Sequence, residues 1–380
     1  MGQQPHQIRM AATLTLALLL LGCSGKEPGW NNEGVKPIQV GPRGWVHGLA
    51  FTPDSNYLVV SSAVNKRPRF AVWDVASQKE VFLAEGRREV IAFSPDGKTM
   101  GLDGGLRAKF SRDDEKLEAG PRVTVWDTTT WKEKARPAVA DVASVDFLAF
   151  HPKEDLLFVA GRSHPRIEDC VLLLWDLKAG KARYRKEAQK FLSSSAGLSP
   201  DGSTLVIGGQ EFIGKEWVGI SGKVVETASG KELWSFAAHP TSEGVTHIAC
   251  VAFLPDGGTF ATGGNDGKVR MWDLKTRKEK AVFSGDLYVS RQLAVSPDGK
   301  VIVVAGSNPG DVRGLVEFWE VSTGKRLAKL NVPNVGCVAL SPDGKWLATG
   351  TADGTKKGGP NYPGAVHLWK MADVLRKKSE

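Results

Sequence analysis

One short pattern returns seven times along the chain and limits its fold more than any other feature. An apolar run is followed by Pro-Asp-Gly or a close variant at Pro53, Pro95, Pro152, Pro200, Pro255, Pro297 and Pro342. Downstream of each, a β-rich run ends in Trp-Asp or a variant: Trp73-Asp74, Trp126-Asp127, Trp175-Asp176, Val225-Glu226, Trp272-Asp273, Trp319-Glu320 and Trp369-Lys370. In the first six repeats a Lys follows five residues beyond the acidic position, and Gly180, Gly230 and Gly324 precede it in three. A period of about fifty residues means that each repeat is one supersecondary unit, too small to bury its apolar face alone.

Each mark has a local physical reading. In Ser94-Pro95-Asp96-Gly97 the Pro sets the entry of a turn, the Asp bonds nearby backbone, and the Gly takes positive φ without steric cost. The tract around Gly324 has the Gly that a longer hairpin loop needs in the left-handed region. Between the two turns, Val123-Thr124-Val125 leads into Trp126 with β propensity throughout, and the indole can fill space between sheets. Four short strands per repeat follow. The 43 Gly, 20 Pro and 12 Trp suit an all-β chain, and 41% hydrophobic with 24% charged residues excludes disorder and collagen-like structure.

These residues resemble WD40 repeats over residues 35–374. The resemblance implies a seven-bladed β-propeller of four-stranded antiparallel blades, with insertions stretching the usual 40–45-residue spacing. The Gly-His pair that commonly precedes each repeat is nearly absent, and Ala238-His239 is its nearest match. There the resemblance implies a buried hydrogen-bond tetrad of His239, Thr262, Asp266 and Trp272. A catalytic His-Asp pair is the sharper reading of the same residues; a network that rigidifies the blade is the favoured one. Little β sequence follows Trp369, so residues 35–40 are expected to supply the missing outer strand of the seventh blade. Pro37 suits an edge strand. The competing strand, residues 371–375, has less β propensity.

The first residues read as an address. Arg9 precedes an apolar run, residues 10–21, about half the length of a membrane span. Leu20-Leu21-Gly22-Cys23 resembles the lipobox of bacterial lipoproteins, which implies cleavage before Cys23 and its lipidation. The expected organisation is a signal peptide (1–22), a tether (23–34), the propeller (35–374) and a charged tail (375–380). The expected location is the periplasmic or cell-surface side of a bacterial membrane. Removing Arg9 leaves 49 basic against 42 acidic residues. Cys170, Cys250 and Cys337 make no disulfide framework. Cys250 and Cys337, five residues before a Pro in two repeats, are expected to be buried; Cys170, beside an irregular insertion, is the expected reactive thiol.

Within a blade the inner strand descends, the Pro-Asp-Gly tip turns it, and the second strand returns, so the connection to the Trp strand lies on the upper face. Residues 65–69, 106–122, 162–169, 210–219, 307–313 and 353–364 are read as those connections, and they carry nearly all the extra length. Insertions gathered on one face commonly mark a binding face. They hold Arg67, Arg69, Arg107, Lys109, Arg112, Arg166, Arg313, Lys356 and Lys357, with Phe110, Trp217 and Tyr362. The expected function is a non-catalytic, membrane-tethered scaffold, a monomer, binding a protein or other acidic partner there. No catalytic, metal or cofactor motif was found, and export argues against nucleic acid despite a pI near 9.2. The alternative is an enzyme or a glycan-binding module. Residues 225–234 resemble a quinoprotein dehydrogenase repeat whose late Trp packs blade on blade, but only this repeat carries that Trp.

Overall fold

The repeats build seven four-stranded antiparallel sheets. The computed structural model describes residues 37–40, 44–64, 67–85, 90–103, 123–139, 142, 144–162, 170–188, 191–213, 216–218, 221–240, 247–307, 314–352, 354–355, 361–362 and 364–376. The inner strands are Trp45–Phe51, Ile91–Phe93, Ser144–Phe150, Phe191–Leu198, Ile248–Phe253, Val289–Val295 and Val335–Leu340. Each packs against the inner strand of the next blade, and the seventh against the first, which closes the ring of a seven-bladed β-propeller.

The outer strand of the seventh blade comes from the beginning of the chain. Ile38–Val40 runs antiparallel to Val366–Lys370, with Ile38 opposite Leu368 and Val40 opposite Val366. The competing candidate, residues 371–375, forms no strand; Met371–Val374 is one helical turn with Met371 and Val374 buried. Ile38 is half-buried against the apolar cluster shared by the seventh and first blades.

The core lies between blades, and the Trp residues explain why. Trp272 packs 4.7 Å from Phe236 of the preceding blade, Trp319 stacks at 5.7 Å on Phe283, and Trp126 meets Phe70 edge-on at 5.2 Å. Each indole fills the wedge between two twisted sheets, an offset or edge-on geometry that its quadrupole favours. Trp234, the late Trp of the fourth blade, likewise reaches Phe260 of the fifth.

Four of the seven tips repeat one set of bonds. Ser94, Ser199, Ser296 and Ser341 each donate to the Asp two residues on, at 2.6–2.7 Å. The glycine that follows has positive φ, and at Gly202 a Cβ would stand 2.4 Å from His151 of the preceding blade. In the first blade Ser55 takes this position at φ 63°, and its hydroxyl accepts the Asp343 amide at 3.0 Å across the closing seam.

These bonds set an acid limit on stability. Bonds from the Ser199 hydroxyl and the Ser203 amide and hydroxyl lower Asp201 to about 2. Hydroxyl bonds from Ser94 and Ser296 also lower Asp96 and Asp298. A carboxylate depressed in the folded state stabilises it above the unfolded value near 3.9, and that contribution is lost as pH falls through the folded value. The melting temperature is therefore expected to fall between about pH 4 and pH 2. Asp201→Asn should flatten that fall, and an unchanged acid slope in the variant would count against the tip bonds as its source.

Candidate functional site

In the fifth blade, strand order places the connection between second and third strands on the same face as the beginning of the next inner strand. That shared upper face is where the basic insertions were expected. Arg107, Lys109, Phe110, Arg112, Arg166, Arg313, Lys356 and Lys357 lie outside the described residues, as does Cys23. The backbone of Trp217 lies in strand Glu216–Val218, and that of Tyr362 in Asn361–Tyr362.

Two of the expected connections are strands. Tyr57–Val64 and Arg67–Asp74 pair through to Val64 opposite Arg67, so Arg67 and Arg69 belong to a hairpin ladder and not to an open loop. Arg69 is half-buried, opposite Ser62 and Glu85. Residues 210–213 extend the second strand of the fourth blade, Thr204–Ile213, which pairs antiparallel with Glu216–Val218. Cross-strand hydrogen bonding satisfies backbone groups that an open loop would leave to water.

The inner strands carry a feature that alternation alone does not reveal. Six of them slip register near their upper ends, leaving His47, Asp146, Ser194, Ala249, Arg291 and Gly336 as the extra residue. The residue before each is buried, whereas none of these six is. A bulge re-aims a side chain out of the pleat. On the innermost strand this brings a ring of variable side chains to the mouth of the channel. Trp45, 54% exposed and stacked on His47 at 5.5 Å, stands at the same end, as does Tyr288, 60% exposed, just before the sixth inner strand. The sequence reading missed these mouth residues. Their available signal was the break in period-two patterning within Ser193-Ser194-Ser195 and Ser290-Arg291-Gln292.

Polar bonds cross between blades at this mouth. Ser193 of the fourth blade donates to Asp146 of the third at 2.8 Å, while within the third blade Arg162 donates to Ser144 at 2.9 Å. Ser194 Oγ lies 2.7 Å from His247 Nε2, and His247 Nδ1 lies 3.2 Å from Asn265 Oδ1. Burial holds His247 below the ordinary imidazole value.

Further from the channel, the fifth blade brings its four expected residues together. His239 Nδ1 meets Asp266 at 2.7 Å, His239 Nε2 meets Thr262 at 2.9 Å, and the Trp272 indole donates to Thr262 at 3.0 Å. His239 is fully buried, and Arg270 also donates to Asp266 at 2.7 Å. With both ring nitrogens occupied and no solvent access, the pair holds the blade and has no open side for a substrate. Gly264 makes room for it, because a Cβ there would fall 2.4 Å from the His239 ring and from the His247 carbonyl. In the seventh blade Trp369 keeps the bond to Thr349 at 3.0 Å. By register, Val60 and Val304 stand where that Thr would be in the first and sixth blades. There the buried Nε1 atoms of Trp73 and Trp319 have no hydrogen-bond partner.

The thiols are inert by burial. Desolvation pushes Cys250 and Cys337 up to about 12 and Cys170 up to about 11. Cys170, expected to be reactive, begins a third strand and packs with Ala160, Leu172 and Phe191. The insertion beside it does not expose it. Among the described residues no group of three or more His, Cys, Asp or Glu is placed to hold a metal ion.

Comparison with known proteins agrees with this architecture. Residues 35–67, 230–273 and 324–355 match the family model for the WD domain, G-beta repeat. The chain is 24% identical over 359 residues to a guanine nucleotide-binding protein subunit beta of Solanum tuberosum, covering 84% of this chain and 85% of that one. With the corresponding subunit of Arabidopsis thaliana it shares 25% over 337 residues, covering 83% and 81%. It is also 26% identical over 241 residues to telomerase protein component 1 of Rattus norvegicus, covering 63% of this chain but 8% of that protein. The ring is a seven-bladed β-propeller in which three segments match the WD40 repeat.

Proposed function

We propose that the protein is an interaction scaffold that docks a protein partner of acidic surface on its upper face, tethered to a bacterial membrane through lipid on Cys23. Docking is the task this reading assigns to the ring. The observation that carries this reading is the exposure of Trp45, Tyr288 and Arg291 at one end of the inner strands, the end to which the sequence assigns the basic insertions. Large aromatics and Arg are the side chains that most often anchor an interface, because they bury much area at little conformational cost. Similarity to G-protein beta subunits supports a ring used for assembly. The tether would join near Ile38, at the lower end of the outer strand. Residues 24–37, at 3.3–3.6 Å each, would reach at most about 50 Å, which would keep the lower rim near the bilayer.

A photo-crosslinking residue at Tyr288 tests this against one at Lys300 on a lower tip, in native membranes. The Tyr288 position is expected to capture a discrete partner and the Lys300 position none. Cys23→Ala should move the protein to the soluble fraction. Equal capture from both faces would overturn the docking assignment, and membrane retention of Cys23→Ala would overturn the tether.

A further inference from the structure

We propose that Ser194, at the channel mouth between the fourth and fifth blades, is an activated nucleophile able to take an acyl group from an ester, with His247 as its base and Asn265 as the residue that positions the base. The inference is independent of the docking reading and adds a chemical capacity to the same ring.

Three consecutive serines on one inner strand have three different surroundings. Ser193 is buried and donates to Asp146 of the third blade at 2.8 Å, and Ser195 accepts the Val251 amide of the fifth at 3.2 Å. Both are engaged in fastening neighbouring blades. Ser194 is the bulged residue between them. The bulge turns its hydroxyl out of the pleat toward the next blade, where Oγ lies 2.7 Å from His247 Nε2. On the other side of the ring, Nδ1 lies 3.2 Å from Asn265 Oδ1. A carboxamide oxygen can only accept, so Nδ1 carries the hydrogen and Nε2 presents its lone pair to the serine. This is the order of nucleophile, base and orienting group that activates a hydroxyl for acyl transfer, recognisable by geometry whatever the fold. Burial lowers His247 from its ordinary value, which favours the neutral imidazole that can accept a proton. All three side chains are half-buried, Ser194 on an inner strand and His247 and Asn265 at the ends of the first two strands of the fifth blade.

The step balances without a cofactor. As the Oγ–C bond forms at the ester carbonyl, the hydroxyl proton passes to Nε2. Collapse then breaks the bond to the leaving alcohol, which takes the proton back from His247. The products are Ser194 O-acyl ester and free alcohol.

The test treats the intact protein with a fluorophosphonate probe, which forms a phosphonyl ester and releases fluoride, and maps the adduct by peptide mass. One adduct on Ser194 is expected, absent in Ser194→Ala and slowed at least about a hundredfold in His247→Gln. Asn265→Ala should slow labelling about tenfold and Asn265→Asp should restore it, which a purely structural role would not do. The proposal is overturned if excess probe leaves Ser194 unmodified in the parent protein, or if His247→Gln, folded by circular dichroism, labels Ser194 at the parental rate. Should His247→Gln fail to fold, the parent decides alone: labelling of Ser194 no faster than of exposed serines such as Ser77 and Ser322 overturns it equally.

Discussion

Arg326→Met is expected to cost about 3–5 kcal/mol of folding stability at pH 7, because it strands a buried carboxylate. Glu317, 1% exposed, sits on the third strand of the sixth blade. Its Oε1 accepts from Arg326 at 2.7 Å and from the Asp286 amide at 2.9 Å. Arg326 is also 2.9 Å from Asp286, whose carboxylate Lys329 approaches at 2.9 Å, and its guanidinium lies over the Trp319 ring. Glu317 thereby fixes the link from the fifth blade to the sixth, replacing the His-Thr-Asp network of the fifth. Desolvating a carboxylate is tolerable only while charged and hydrogen-bonding partners face it. Met keeps the stem packing of Arg and removes the charge, so the loss reports the ion pair. The double variant Glu317→Gln, Arg326→Met should recover most of it. Urea unfolding would measure these differences, and a cost below about 1 kcal/mol for the single change would show that the pair is dispensable.

The repeat architecture was legible because its signals are local. Pro-Asp-Gly and Gly-Lys specify turns within a few residues, and the Trp near the end of the third strand in six of the seven blades marks a wedge that any two twisted sheets leave open. The outer strand at Ile38–Val40 was legible by subtraction, since seven blades need a fourth strand that Trp369 leaves no room for. What escaped was whatever depends on register between distant residues. The bulges at Asp146, Ser194 and Arg291 are single-residue slips, invisible in alternation averaged over a strand. Glu317 lies in Leu315-Val316-Glu317-Phe318-Trp319, where a polar residue between apolar ones reads as facing solvent. Its burial depends on Asp286 and Arg326, both outside that run. Arg67 and Arg69 were read as loop because Asn65-Lys66-Arg67-Pro68 is polar with a Pro. The ladder accommodates Pro68 opposite Ala63 and runs on.

The upper-face assignment also explains why the blades diverge as they do. Four of the seven lower tips share one Ser-Asp-Gly bond set, and the first replaces its Ser with Thr52 bonded to Asp54. The upper ends of the inner strands instead present His, Asp, Ser, Ala, Arg and Gly at one equivalent position. Variation at equivalent sites on a rigid frame is how a repeat protein makes a surface specific to one partner.

Charge reversal on the two faces tests that account most directly. Arg67, Arg112, Arg166 and Lys357 are changed together to Glu in one variant, and Lys79, Lys181, Lys278 and Lys325, all exposed at the start of outer strands on the lower side, in another. Partner recovery after cross-linking in native membranes is the readout, at low and high salt. The upper-face variant should lose recovery by at least about a hundredfold, and the lower-face variant should match the parent, since rim charges govern encounter and like-charge contact rejects a partner. Recovery from the parent should fall as salt rises. Equal loss in both variants, or none in either, would contradict docking on the upper face.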